Sequence, residues 1–382
     1  MGIYVQVPFC QTRCTYCNFH TGVVSRGRYL PYVEAVCREI SQTDGAVKDA
    51  DTIYIGGGTP SLLDPAALAK ILDHIRRSAR GEPAEVTLEA DPETVTPEKA
   101  RQWYNAGINR VSLGAQSFHD NELKAAGRLH RREDIFRAAD LLRGAGIENI
   151  SMDLIAGLPH QTRQSWEDSV SQLLRIYPEH VSIYMLEIDE GSRLGREALA
   201  GGERYSAGAL PSDDDTADFY DSARLRLKSA GYEHYEVSNW ALPGKQSRHN
   251  LKYWQRDPYL GFGAGAHSFD GVLRWSNVHE SERYARLIEQ GTSTREQIEP
   301  VTPAIALSEE MFLGLRQLRG ADFARIEQQY SAEETLRDRL LTLRQRIETL
   351  RSHGMLDFDG TFVRIPPEKL TISSEILLEL LS

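Results

Sequence analysis

The first half of the chain alternates short β-rich runs with longer segments that carry helical patterns. The short runs are Ile3–Val7, Thr52–Ile55, Glu85–Glu89, Arg110–Leu113, Asn149–Leu154 and His180–Leu186. Helical patterns lie between them, near Tyr29–Ser41, Pro65–Ala79, Pro97–Ala106, Arg132–Gly144 and Gln164–Ile176. Strict alternation of strand and helix predicts βαβ units and a parallel sheet, an α/β fold. Six such strands suit an incomplete (β/α)6 barrel of the TIM type; a doubly wound open sheet is the alternative. In barrels of this kind the chemistry gathers at the C-terminal ends of the strands.

Polar and Gly-rich residues sit at those ends. A Cys-rich loop follows strand one, and Gly56-Gly57-Gly58-Thr59-Pro60 follows strand two. Glu89 and Asp91 end strand three, Gln116 follows strand four, Asp153 ends strand five and Glu187 follows strand six. Any one of these alone is weak, because a Gly run is most often a turn and an Asp at a strand end is often a helix cap. Six in a row would be odd for a purely structural sheet.

The second half reads differently. Gly201–Asp215 is rich in Gly, Ser and Asp and predicts a linker, followed by a helix near Thr216–Ala230 and a strand near Tyr232–Asn239. Arg248–Gly271 is dense in aromatics and Gly, and the pattern shifts again near Pro300. Beyond it, Ser308–Leu318 and Glu334–His353 predict helices, and residues 354–364 a β-hairpin turning at Asp359-Gly360. The expected organisation is a partial barrel over 1–215, an extension over 216–300, and a smaller α+β, winged-helix-like domain over 301–382.

The chemistry centres on Cys10-Gln-Thr-Arg-Cys14-Thr-Tyr-Cys17. Three thiolates on one short loop can hold three irons of a [4Fe–4S] cube, whose usual closed site takes four Cys. Position 19, where a fourth ligand would follow closely, is Phe19. The remaining iron is then open to a small molecule, as an open position on a catalytic metal is. Clustered Cys can also be a disulfide framework or a zinc site. Only four Cys occur in 382 residues, and no second ligand pair accompanies the loop. The fourth, Cys37, falls in a helical pattern and reads as core.

Composition narrows the partners. A formal charge of −11 argues against a nucleic-acid binder, which usually shows a basic footprint. The first residues have neither a basic n-region nor a long apolar h-region, so no signal peptide is expected. No stretch has the ~18 apolar residues of a membrane span. The reducing cytoplasm is the expected compartment, and it suits thiolate-bound iron.

The Cys10/Cys14/Cys17 spacing, with Tyr16 before the third Cys and Gly56–Pro60 after the next strand, resembles the radical S-adenosylmethionine (SAM) superfamily. Residues 3–10, 56–61, 88–92, 114–118, 153–159 and 261–268 resemble the oxygen-independent coproporphyrinogen III oxidase family. That family implies a radical-SAM barrel with an added C-terminal domain. Its oxidase branch carries one more Cys two residues after the third, and a long N-terminal extension. Here that position is Phe19, and the Cys loop begins nine residues into the sequence. A second, heme-binding branch, regarded as heme chaperones, lacks both features. It carries an H-N-x-x-Y-W signature, matched here by His249-Asn250-Leu251-Lys252-Tyr253-Trp254.

By this resemblance, Cys10, Cys14 and Cys17 bind the cluster, and SAM chelates its open iron. Gly57, Gly58 and Thr59 would approach the methionine part, Gly allowing close backbone approach. Tyr16 would lie against adenine, and Tyr4 would border the site. Glu89, Gln116, Arg128 and Asp153 match SAM-contacting positions. His249 would be an axial heme ligand, with Tyr253 and Trp254 as aromatic walls. The implied partners are heme as cargo and heme-acceptor proteins, with no nucleic acid. The resemblance leaves room for a homodimer and for peripheral membrane association through acceptors. The oxidase, decarboxylating the propionates of coproporphyrinogen III, is the competing activity, and a scaffold with a vestigial cluster is the third reading.

Overall fold

The computed structural model describes residues 1–43, 45 and 47–382. The alternation predicted for the first half is found throughout. The strands are β1 (Gly2–Val7), β2 (Thr52–Gly57), β3 (Glu85–Ala90), β4 (Arg110–Gln116), β5 (Asn149–Ala156) and β6 (His180–Met185). Between them run α1 (Tyr29–Gln42), α2 (Pro65–Ser78), α3 (Pro97–Asn105), α4 (Asp120–Ala125), α5 (Arg132–Gly144) and α6 (Arg163–Ile176). Local chemistry starts several of these helices. Asp64, Thr96 and Thr162 cap α2, α3 and α6 through their side-chain oxygens, and Pro65 and Pro97 open the first two.

The six strands pair in chain order, each parallel to the next. Right-handed crossovers in unbroken order keep all the helices on one face. A doubly wound sheet requires the order to reverse, and here it does not. Ile3, Val5, Ile53, Ile55, Val86, Leu88, Val111 and Leu113 are buried in the main core, which they share with residues of those helices. The sheet does not close on itself, so the barrel is incomplete.

Both edges are extended by the chain that follows. After α7 (Arg193–Leu199) and α8 (Asp213–Ser229), β7 (Glu233–Glu236) and β8 (Asn239–Ala241) form a hairpin antiparallel to β6. The continuous strand expected at Tyr232–Asn239 is thus two short strands. The expected linker at 201–215 is partly helical, because Ser212 and Asp215 form a capping box that starts α8 at Asp213. Next come α9 (Arg248–Trp254) and β9 (Tyr259–Phe262), which pairs parallel to β1. Then β10 (His267–Phe269), β11 (Leu273–Asn277), α10 (Ser281–Glu289) and β12 (Arg295–Pro300) complete a 12-stranded sheet.

The C-terminal module contains α11 (Pro303–Leu315), β13 (Ala321–Asp322), α12 (Phe323–Tyr330), α13 (Arg337–Ser352), β14 (Asp357–Phe358), β15 (Phe362–Arg364) and α14 (Ser373–Leu381). Its hairpin turns at Asp359-Gly360 as predicted. Asp359 Oδ1 accepts from the amides of Thr361 and Phe362, and Gly360 supplies the positive φ of +92°. The first helix begins at Pro303 rather than Ser308, because Thr302 caps it.

Candidate functional site: a cysteine-lined cavity at the strand ends

A cavity of about 400 Å³ opens at the C-terminal ends of the barrel strands. Cys10, Cys14 and Cys17 line it, together with Tyr16, Gly57, Gly58, Thr59, Glu89, Gln116, Arg128 and Asp153. Eleven of the twelve residues expected at the cluster and SAM therefore meet in one space. Tyr4 is the exception. It lies within the barrel, its ring stacked 6.1 Å from Tyr54 and its hydroxyl donating to Gln6 Oε1 at 2.6 Å.

The Cys loop is pinned at both ends. Phe9 is buried, stacked on Tyr29 with centroids 4.6 Å apart. Cys10 N donates to Gly22 O, and Gly22 N donates back to Pro8 O. Farther along, Thr15 N donates to Ala126 O, and the Thr15 hydroxyl to Ala125 O. The Gly run presses against this loop from β2. Thr59 N donates to Phe9 O at 2.7 Å. A Cβ on Gly58 would stand 2.6 Å from Phe9 O and 2.8 Å from Cys10 Sγ. Only glycine permits that approach.

A polar chain crosses the cavity floor. Gly57, at φ +120°, donates its amide to Glu89 Oε2 at 2.9 Å, and Tyr54 donates to Glu89 Oε1 at 2.8 Å. Burial pushes the Glu89 carboxyl up to about 7, against the pull of those two hydrogen bonds. Asp91 accepts from the Thr59 hydroxyl at 3.1 Å and pairs with Arg128. Arg128 also donates to Gly114 O at 2.9 Å, and its other amino group lies 3.6 Å from Cys14 Sγ. Asp153 sits 3.4 Å from the Ser112 hydroxyl, and burial raises its carboxyl.

Gln116 is strained and incomplete. It adopts φ +63°, a left-handed conformation unusual for a residue other than Gly, beside a register shift in β4. Its Oε1 is buried with no partner. Strain of this kind costs about 1–3 kcal/mol and collects at ligand sites. A buried acceptor without a donor calls for one from a ligand or water.

The donor set fits a cubane. All four cysteines are free thiols. Among the described residues no three His, Cys, Asp or Glu groups converge closely enough to hold a single metal ion. In a cubane each thiolate meets its own iron, and Cys10, Cys14 and Cys17 lining one cavity are a donor set of that kind. Cys37 is buried in the core, as expected.

The H-N-x-x-Y-W segment lies elsewhere. Helix α9 plugs the opposite end of the barrel, against the first residues of β2 and β3. His249 is 1% exposed, with Nδ1 2.9 Å from Thr52 Oγ1 and Nε2 2.9 Å from the Tyr253 hydroxyl. Its amide donates to Glu85 Oε1, and that of Arg248 to Glu85 Oε2. The Arg316 guanidinium covers the Trp254 ring at 4.7 Å. The structure therefore does not bring His249, Tyr253 and Trp254 to the cysteines, and neither ring nitrogen of His249 is free in this packing.

Residues 4–173 match the Radical SAM superfamily, and residues 301–368 match the HemN C-terminal domain. The chain is 36% identical over 332 residues to "Heme chaperone HemW" of Bacillus subtilis, covering 86% of each. It is 37% identical over 369 residues to the protein of the same name from Synechocystis sp., covering 94% of this chain and 86% of that one. The chain belongs to the HemW family. Its fold matches that of a solved radical SAM enzyme, the coproporphyrinogen III oxidase HemN of Escherichia coli. The TM-score is 0.84 at 21% identity, over 99% of this chain and 89% of that one.

Within this HemW-family chain, reading the sequence placed Asp91 at the strand ends without a role, and missed Tyr54 and Thr15 as site residues. Asp91 acts as the partner of Arg128 and Thr59. Tyr54 and Thr15 carried no signal, because their roles depend on partners 35 and 110 residues away.

Proposed function

We propose that this chain is a heme chaperone that carries a [4Fe–4S] cluster and SAM and passes heme to acceptor proteins. The observation that carries the cofactor half is the convergence of Cys10, Cys14 and Cys17 with Glu89, Gln116, Arg128 and Asp153 around one cavity. The named function of the similar HemW proteins supports the chaperone half. Phe19 supports the same reading: it is 68% exposed on the cavity rim, where the oxidase branch has another Cys.

Cys10, Cys14 and Cys17 would each hold one iron, leaving the fourth for the amine and carboxylate of SAM. When bound there, such a cluster would supply the one-electron chemistry that SAM needs. The protein's part is placement. Glu89 and Asp153 would accept hydrogen bonds from ribose hydroxyls or the amine, as carboxylates do in dinucleotide sites. Gln116 Oε1 would gain the donor it lacks. Arg128, held by Asp91, would balance negative charge beside Cys14 by charge-assisted hydrogen bonding. Tyr16 would provide an aromatic surface for adenine. Among the described residues no helix is long and apolar enough to cross a membrane. A cytoplasmic site of action suits thiolate-bound iron.

The test is a heme titration of anaerobically reconstituted protein, run beside a SAM-cleavage assay and product analysis with coproporphyrinogen III. A Soret band that survives gel filtration, with no protoporphyrinogen formed, is the expected result. Wild-type protein that retains no heme would overturn the chaperone reading. Cys14-dependent protoporphyrinogen formation would replace it with the oxidase.

A further inference from the structure

Gln116 stands at the centre of a three-residue turn. Ser117 N donates to Ala115 O at 2.8 Å across it, and Gln116 itself has φ +63°. A turn closed over so few residues with a positive central φ is the rare, strained kind. Strained backbone persists only where its surroundings over-determine it. Two buried side chains do so here, one on each flank of Gln116. On one flank, the Ser117 hydroxyl donates to Glu122 Oε2 at 2.6 Å and accepts from the His119 amide at 2.9 Å. On the other, His130 Nε2 donates to Ala115 O at 3.0 Å, and His130 Nδ1 lies 3.5 Å from Glu93 Oε2. Glu122 and His130 are buried, and both lie outside the lining of the cavity.

Glu122 is itself held in place. Gln161 Nε2 lies 3.4 Å from Glu122 Oε2 and donates to Ile155 O at 3.1 Å, while Gln161 Oε1 accepts from the Gly157 amide at 2.6 Å. The carboxylate thus joins the turn after β4 to the turn after β5. It also belongs to α4, and the carbonyls at the end of α4 hold the Cys loop. Ala125 O takes the Thr15 hydroxyl, and Ala126 O takes the Thr15 amide. Leu123 O takes the Arg128 amide at 2.9 Å. Gln116, Arg128 and the stretch between Cys14 and Cys17 therefore share one buried anchor.

We propose that Glu122, through Ser117, and His130, through Ala115, are positioning residues that fix Gln116 in the conformation that presents its amide to SAM. Each acts through the turn and contributes no atom to the cavity. Removing either clamp frees the turn to relax toward negative φ, where a residue with a side chain prefers to be. That relaxation re-aims the Gln116 side chain, and its unpartnered Oε1 leaves the place where a ligand donor would meet it. The inference rests on the SAM half of the proposed function and names what aims one of its contacts.

The experiment measures SAM affinity by equilibrium dialysis on anaerobically reconstituted proteins of matched iron content. Ser117→Ala, Glu122→Ala and His130→Ala should each weaken SAM binding about tenfold, as loss of a group that supports a ligand does at metal sites. Glu122→Gln keeps an acceptor for Ser117 and should restore most of the affinity. In a Gln116→Ala background the same changes should weaken SAM binding little further, because residues that act through one contact are not additive. A merely structural role would lower the urea midpoint and leave the affinity of folded, iron-loaded protein alone. Unchanged affinity in the three alanine variants, beside a wild type that binds SAM, would overturn this inference and leave the cofactor reading intact. Losses that add in full to that of Gln116→Ala would overturn it as well. Should Glu122→Ala fail to fold, Ser117→Ala, which removes one hydroxyl, decides the same link. Wild type that binds no SAM would overturn the cofactor reading and this inference together.

Discussion

Arg128 pairs with Asp91 across the cavity floor, joining the loop after α4 to the end of β3. The Arg128 side chain is 8% exposed and that of Asp91 23%, so water screens the pair only partly. Removing one member of a buried pair leaves the other charge uncompensated, at a cost of about 3–5 kcal/mol. Arg128→Met should therefore destabilise the metal-free protein by about 3 kcal/mol, at the lower end because Asp91 keeps some contact with water. Urea unfolding measures it. The Asp91→Asn/Arg128→Met double variant should lose clearly less than the sum of the single changes. Additive losses would show that the pair contributes nothing as a pair.

Glu89 should make stability depend on pH in a direction opposite to most carboxylates. Its folded value is pushed up to about 7, above that of an unfolded Glu. The unfolded chain therefore releases this proton first as pH rises. Stability held below the unfolded value is lost progressively as pH climbs through about 7. Glu89→Gln removes the titration. Its urea midpoint relative to wild type should rise between pH 5 and pH 8 in metal-free protein. A difference that stays flat across that window would show that Glu89 ionises as freely as in water.

The barrel was legible because its evidence is local. Apolar runs, helix caps and Gly turns recur along residues 1–185 in the order in which the strands pair. The Cys loop and the Gly57–Thr59 run were legible for the same reason. What escaped was set by distant partners. Nothing near Asp91 announces Arg128, 37 residues on, and nothing near Glu39 announces Asn277, 238 residues on. The motif at 249–254 was drawn from the family signature, and its packing was not legible in it. Thr52, Glu85 and Tyr253 complete the hydrogen bonds of His249, and two of these partners belong to strands far away in sequence.

His249→Ala should act first on stability. It empties a buried position and leaves Thr52 and Tyr253 without their shared partner, a loss of about 2–4 kcal/mol. The loss should shrink in acid. Burial, with nearby Lys252, pushes the His249 imidazole down to about 3. Below the ordinary histidine value the unfolded chain takes up a proton that the folded one refuses, so wild type loses stability as pH falls. The variant lacks that loss. Unfolding measured at pH 7 and pH 5 should show the gap between the two proteins narrowing. A gap that widens in acid would mean that His249 is protonated in the fold.

Gly58→Ala tests whether the Cys loop and the Gly run are one unit. The added Cβ would meet Phe9 O at 2.6 Å and Cys10 Sγ at 2.8 Å, and the first of these is backbone that cannot swing away. Gly58 is not among the positive-φ residues, so the backbone itself tolerates alanine. The clash must then be relieved by moving the loop, which shifts Cys10 relative to Cys14 and Cys17. Because Phe9 is locked against Tyr29 and Cys10 against Gly22, the movement falls on the thiol position rather than on the barrel. Global stability should change little, while iron bound per chain after anaerobic reconstitution falls well below that of wild type. A Gly58→Ala protein that reconstitutes to the same iron content would show that the loop adapts, and that the close approach is incidental to cluster binding.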